Sequence, residues 1–226
     1  MTHIRRSEGG LSMVELLVGT TVGLVIVAAG TTVVTRHARE NRALAIESRL
    51  MQDLRTAADI VARDLRRAGY WGASASGVRS DDGSAVLTNP YALVTPEAAA
   101  SDAVRLSFSR DAGENGTIDG NERFGFRLRN GAIELQLGDG NWQALTDPAT
   151  LTVTAFEVEP RTEETSLERF CAEPCAAGST TCPPRQQVRS FAVAIEAQAV
   201  PDPAVRRSVR AGARLRNGSV VGSCEA

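Results

Sequence analysis

The chain has 226 residues, 42% of them hydrophobic, with 25 basic and 27 acidic side chains and a formal charge of −2. A near-neutral balance excludes the basic surface that nucleic-acid binding needs, so no nucleic acid is expected as a partner. Every cation is Arg and no Lys occurs; with Ala and Gly also abundant, this reads as GC-rich coding and not as phosphate chemistry.

The first element is a membrane span. Leu16 to Val34 reads LLVGTTVGLVIVAAGTTVV without one charged residue, and with its flanks it reaches the ~20 residues that cross a bilayer core. Gly19, Gly23 and Gly30 are tolerated in lipid, where small residues let helices approach. Val27-Ala28-Ala29 offers a small-residue cut site, but the run exceeds the ~7–15 residues of a secretory signal core. A plain anchor explains the length and leaves Glu15 unexplained, because a carboxylate at depth costs ~2.5–3.5 kcal/mol and normally has a partner. Arg5 and Arg6 precede the span while Arg36, Arg39 and Arg42 follow it, so loop charge leaves orientation open.

Arg5-Arg6-Ser7-Glu8-Gly9-Gly10 followed by Leu11-Ser12-Met13-Val14-Glu15 resembles the type IV prepilin pattern: a charged leader ending in glycine, then Glu at the fifth mature position. The resemblance implies that a prepilin peptidase cuts between Gly10 and Leu11 on the cytoplasmic side and that Leu11 becomes N-methylated. Leu stands where the family more often has Phe. Cleavage would give Leu11 a positive amino group, and Glu15 would meet such a terminus in a neighbouring subunit. Either charge alone is costly in lipid and the pair is not, which makes Glu15 an assembly residue.

Helix formers continue from Arg36 to Ala68 without Gly or Pro. Leu44, Met51, Ala58 and Leu65 recur every seven residues, with Leu54, Val61 and Ala68 offset by three, giving one apolar stripe. That stripe is expected to dock on the chain's own sheet, within one helix from about Leu11 to Ala68 that Gly69 ends. Asp59-Ile60-Val61-Ala62-Arg63-Asp64-Leu65-Arg66-Arg67-Ala68-Gly69-Tyr70-Trp71-Gly72 resembles the PilW family of minor pilins, as does, more weakly, the closing Arg214-Leu215-Arg216-Asn217. Tyr70 and Trp71 are expected to seal the helix against the first sheet layer.

Strands follow. Val104, Leu106 and Phe108 alternate; so do Phe124, Phe126 and Leu128; Asn130-Gly131 then signals a hairpin into Ile133, Leu135 and Leu137. Asp139-Gly140 turns toward Trp142, and Leu151–Val158, Arg189–Ala199 and Val205–Arg216 supply further strands. The fold class expected is α+β and type IV pilin-like: a long N-terminal helix, membrane-spanning in its first half, packed on an antiparallel sheet. Its parts are a leader over 1–10, the membrane and assembly half of the helix over 11–35, the amphipathic half over 36–70 and a β-rich domain over 71–226. Removing leader and span leaves roughly 190 residues, enough for one core.

Cys171, Cys175, Cys182 and Cys224 lie late in the chain without a Cys-x-x-Cys pair or a nearby His, so disulfides are expected over metal. Three connectivities exist; chain entropy favours one bridge tying Cys224 back to the Cys171–Cys182 loop and one within that loop. Asp111-Ala-Gly-Glu-Asn-Gly-Thr-Ile-Asp-Gly-Asn-Glu122 partly matches a calcium loop. Asp111, Asn115, Thr117, Asp119 and Glu122 are its candidate ligands, and calcium is the one cofactor the sequence suggests. Gly113 brings no oxygen at the third position, and the competing reading is a polar hairpin connection whose Gly and Asn serve turn geometry.

Only two His occur, no nucleophile elbow or phosphate loop is present, and no enzyme is expected. The PilW resemblance implies a minor pilin in the initiation and assembly of type IV pili, with twitching motility and adhesion as its context. The partners it implies are other minor pilins, the major pilin, the inner-membrane assembly platform, the prepilin peptidase and a tip adhesin. The place implied is the bacterial inner membrane, single-pass with a periplasmic domain, and then the extracellular pilus. A type II secretion pseudopilin shares the Glu15 argument, and a plain membrane-anchored adhesin is the alternative from another class.

Overall fold

The computed structural model describes residues 12–77, 87–110 and 113–225; Gly10, Leu11 and Asp111 lie outside them. By packing, the chain divides after Ala45 into two units, Met1–Ala45 and Ile46–Ala226. Helix α1, Met13–Arg67, contributes to both.

In the first unit α1 is exposed along its whole apolar run, with Leu24 69% and Val25 68% accessible. Thr20, Thr21, Thr31, Thr32 and Thr35 each turn a hydroxyl back onto a carbonyl three or four residues earlier. This leaves no threonine hydroxyl unsatisfied on an otherwise hydrocarbon surface. One 18-residue window of α1 has mean hydropathy 2.0 and none of it is buried. Such a helix fits membrane anchoring.

In the second unit α1 buries Leu50, Leu54, Ala57, Ala58, Val61, Ala62, Leu65 and then Ala68, a spacing of three and four that keeps one face inward. The expected stripe is therefore present but shifted: Leu44 is exposed and Met51 only half-buried. Gly69 ends α1 in the left-handed region at φ +73°, and Asn89 and Asn217 side chains donate to the carbonyls of Gly69 and Ala68 at 2.9 and 3.1 Å.

Two antiparallel sheets pack with that face in one core. The first has β1 (Ala103–Ser107), β2 (Arg123–Arg129), β3 (Ala132–Leu137) and β4 (Trp142–Ala144) in that order. Asn130 and Gly131, with φ 51° and 75°, make the β2–β3 turn, the geometry their dipeptide favours. The second sheet has β5 (Leu151–Ser166), β6 (Arg185–Ala199) and β7 (Arg206–Arg214), with β8 (Ser219–Val221) also paired to β6. Phe126, Val104 and Ile133 from the first sheet and Val158, Val193 and Ile195 from the second are at most 1% exposed; fully burying such side chains contributes ~1.5–3 kcal/mol each.

Three expectations change. The single antiparallel sheet is two sheets. Strand β5 runs to Ser166 and β6 starts at Arg185: Glu159–Ser166 is mostly exposed and has no hydrophobic alternation to read, and pairing with β6 makes it a strand. Trp71 is core at 6% exposure, but Tyr70 is 54% exposed and seals nothing; the second buried ring at this end of the helix is Tyr91.

Candidate assembly segment and buried loop network

Glu15 lies in the first turn of α1, where a negative charge complements the helix dipole. Ser12 precedes the helix and its hydroxyl accepts from the Val14 N–H at 3.4 Å. Glu15 is exposed on a surface otherwise formed by Met13, Val14, Leu16, Leu17 and Val18. Among the described residues no ion pair reaches it.

In the second unit the loop before β2 closes over a buried carboxylate. Glu122 is fully buried, at the end of a short 3-10 turn Gly120–Glu122. Its Oε1 accepts from the Arg110 N–H at 2.8 Å, and its Oε2 accepts from the Asp119 N–H and the Tyr91 hydroxyl at 2.9 Å each. Tyr91 is held by a second turn, Pro90–Ala92, whose Asn89 cap accepts from the Tyr91 N–H. The same phenol lies 3.0 Å from Glu114 Oε1 and 3.0 Å from the Thr117 carbonyl. One proton thus serves three acceptors. Burial, with Glu122 and Glu114 alongside, pushes the Tyr91 phenol well above its ordinary value.

Glu114 also accepts from the N–H groups of Gly72 and Gly116, at 3.1 and 3.3 Å. Desolvation pulls its carboxyl upward, but hydrogen bonds from Ser109, Tyr91, Gly116 and Gly72 outweigh this and hold it below the usual carboxylate range. Glu114 is therefore the strut between the turn after α1 and the loop.

The described oxygens that spacing assigns to calcium already accept hydrogen bonds within this network. Asn115 Oδ1 takes the Thr117 N–H and hydroxyl, Asp119 Oδ2 takes the Asn115 amide at 2.9 Å, and Thr117 O and Glu122 are engaged as above. Among the described residues no three His, Cys, Asp or Glu side chains gather as a metal site. Asn115, Thr117, Asp119 and Glu122 thus all take part in the hydrogen bonding of this loop.

Cys171 pairs with Cys224 and Cys175 with Cys182. The shorter bridge closes a loop between β5 and β6, and the longer ties the chain end to it.

A family described as "Prepilin peptidase-dependent protein B" matches residues 43–215. No curated protein and no solved structure matches the chain. The matched region excludes the Gly10–Glu15 motif, so the likeness in the globular part and the pattern at the N-terminus are separate observations. They agree. The chain belongs to the prepilin peptidase-dependent protein B family and is a pilin-like protein.

Proposed function

We propose that this protein is a PilW-like minor pilin that helps initiate type IV pilus assembly. The observation that carries the reading is Glu15, alone among exposed apolar side chains in the first turn of α1, in a chain of this family. A prepilin peptidase removes residues 1–10 and leaves Leu11 as the N-methylated terminus. The Leu11 amino group of one subunit and Glu15 of the next neutralise each other in lipid, which rewards the correct axial stagger. The partners on this reading are other minor pilins, the major pilin, the assembly platform and a tip adhesin. The β-rich domain faces the periplasm before assembly and the exterior afterwards, where its disulfides are stable.

The reading is tested in the source bacterium lacking its own copy, complemented with wild type or Glu15→Ala, by counting surface pili. Wild type is expected to restore them, and Glu15→Ala to accumulate in the inner membrane without restoring them. Pili restored by Glu15→Ala would refute the pairing. Unchanged pili with lost type II secretion in the deletion strain would move the protein to a pseudopilus.

A further inference from the structure

The outer face of the first sheet carries a cleft that the assembly role does not use. Strand register sets Arg105, Gly125, Gln136 and Trp142 in one row across the four strands. Gly125 is required there: a Cβ would fall 2.8 Å from the Val104 carbonyl, 3.3 Å from Gln136 Oε1 and 3.4 Å from Trp142 Cη2. The indole therefore leans over bare backbone. In the next row Arg127 stacks on that indole, 3.9 Å from its centroid, and is itself fixed by Glu134 at 2.7 Å. Beside the ring opens a cleft of about 460 Å³, lined among others by Leu93, Arg105, Arg123, Gln136, Asp139 and Trp142. Trp142 lines the cleft and Arg127 does not, so the stacked arginine holds the indole without occupying the cleft. The volume is within the ~300–1,000 Å³ of small-molecule sites.

We propose that this cleft binds an acidic sugar unit, a pyranose ring bearing a carboxylate. The clamped Trp142 offers a rigid apolar platform for the C–H face of a saturated ring at little entropic cost. Asp139 accepts and Gln136 both donates and accepts, matching ring hydroxyls. Arg123 is neutralised by Asp139 at 3.2 Å, whereas Arg105 is exposed and has no ion pair among the described residues. Among the described residues the site thus keeps one guanidinium without an ion pair, suited to a carboxylate. An acidic peptide fits less well. Extended peptides are held through sheet edges, and the β1 edge is occupied by Thr95, which exchanges backbone hydrogen bonds with Arg105 at 2.9 and 3.0 Å.

The test uses the full chain in a zwitterionic, sugar-free detergent, titrated with methyl glucuronide and methyl glucoside, which differ only at the carboxylate. Trp142 emission is followed, with buried Trp71 as a constant background. The expected result is a saturable change with the glucuronide and about tenfold weaker binding of the glucoside, the share of one charge-assisted pair. Arg105→Gln is expected to bring the glucuronide down to the glucoside's affinity, and Trp142→Leu to abolish glucuronide binding by calorimetry. Three results would overturn the proposal. One is no saturable response to glucuronide up to about 50 mM, far above a millimolar Kd. Another is equal affinity for the two sugars, and the third is competition by N-acetylglutamate amide as strong as by the glucuronide.

Discussion

Three donors reach the buried Glu122 carboxyl group, from Arg110, Asp119 and Tyr91. Removing one of them exposes the cost of burying the rest. Tyr91→Phe is expected to lower stability by ~1–3 kcal/mol, the penalty of an under-satisfied buried polar group, read as a drop in the urea midpoint. The pH dependence follows from the two shifted groups. Glu114 titrates lower when folded, so its contribution is complete above the ordinary carboxylate pKa of ~4.3 and fades as pH falls through the folded value. Tyr91 titrates higher when folded, so its contribution is complete below ~10 and is lost as pH rises beyond that. Urea midpoints are expected to fall on both sides of a neutral plateau, with Glu114→Gln flattening the acid side and Tyr91→Phe the alkaline side. Calcium at about 1 mM, the range of weak extracellular loops, is expected to leave Tm unchanged relative to chelator, since the described loop oxygens are already engaged. A rise in Tm that Glu122→Ala removes would instead favour the calcium-loop reading. None of this network could be read from Tyr91 itself. Asn89-Pro90 announces a turn, but the acceptors of the phenol lie 23, 26 and 31 residues further on, beyond any local pattern.

At the scale of elements, what alternation or turn chemistry specifies was legible. Helix α1, its Gly69 end, the Asn130-Gly131 hairpin and the inward faces of β1 to β3 all follow from spacing. The second half of β5 does not, because its Glu and Thr residues face solvent and pairing with β6 alone makes it a strand. Beyond that ribbon, the segment from Leu167 to Pro184 has few buried side chains and is held by its bridges. Cys224→Ser is therefore expected to free the Cys171 thiol, leave Cys175–Cys182 oxidised, and cost ~2–4 kcal/mol. Thiol titration under denaturing conditions checks this: one reactive thiol in the variant and none in the wild type. Scrambled pairing in the variant would show that the two bridges depend on each other.

For the whole molecule, the membrane-facing part and the folded part speak through different residues. The family match covers 43–215 and the processing motif lies before it. The packing of Ile46–Ala226 was partly legible, since its core is periodic in sequence. The proposed partner of Glu15 was not legible: a neighbouring subunit would leave only its need behind, an exposed carboxylate among apolar side chains. That need has a meaning only if Leu11 carries a free, positive amino group. The mass of the N-terminal peptide, from chain purified out of the source bacterium's membranes, therefore tests the account most directly. The result expected is a chain beginning at Leu11 with one added methyl group, and a full-length precursor when Gly10→Val is introduced. A chain that begins at Met1, or one cut within Val27–Ala29, would contradict it.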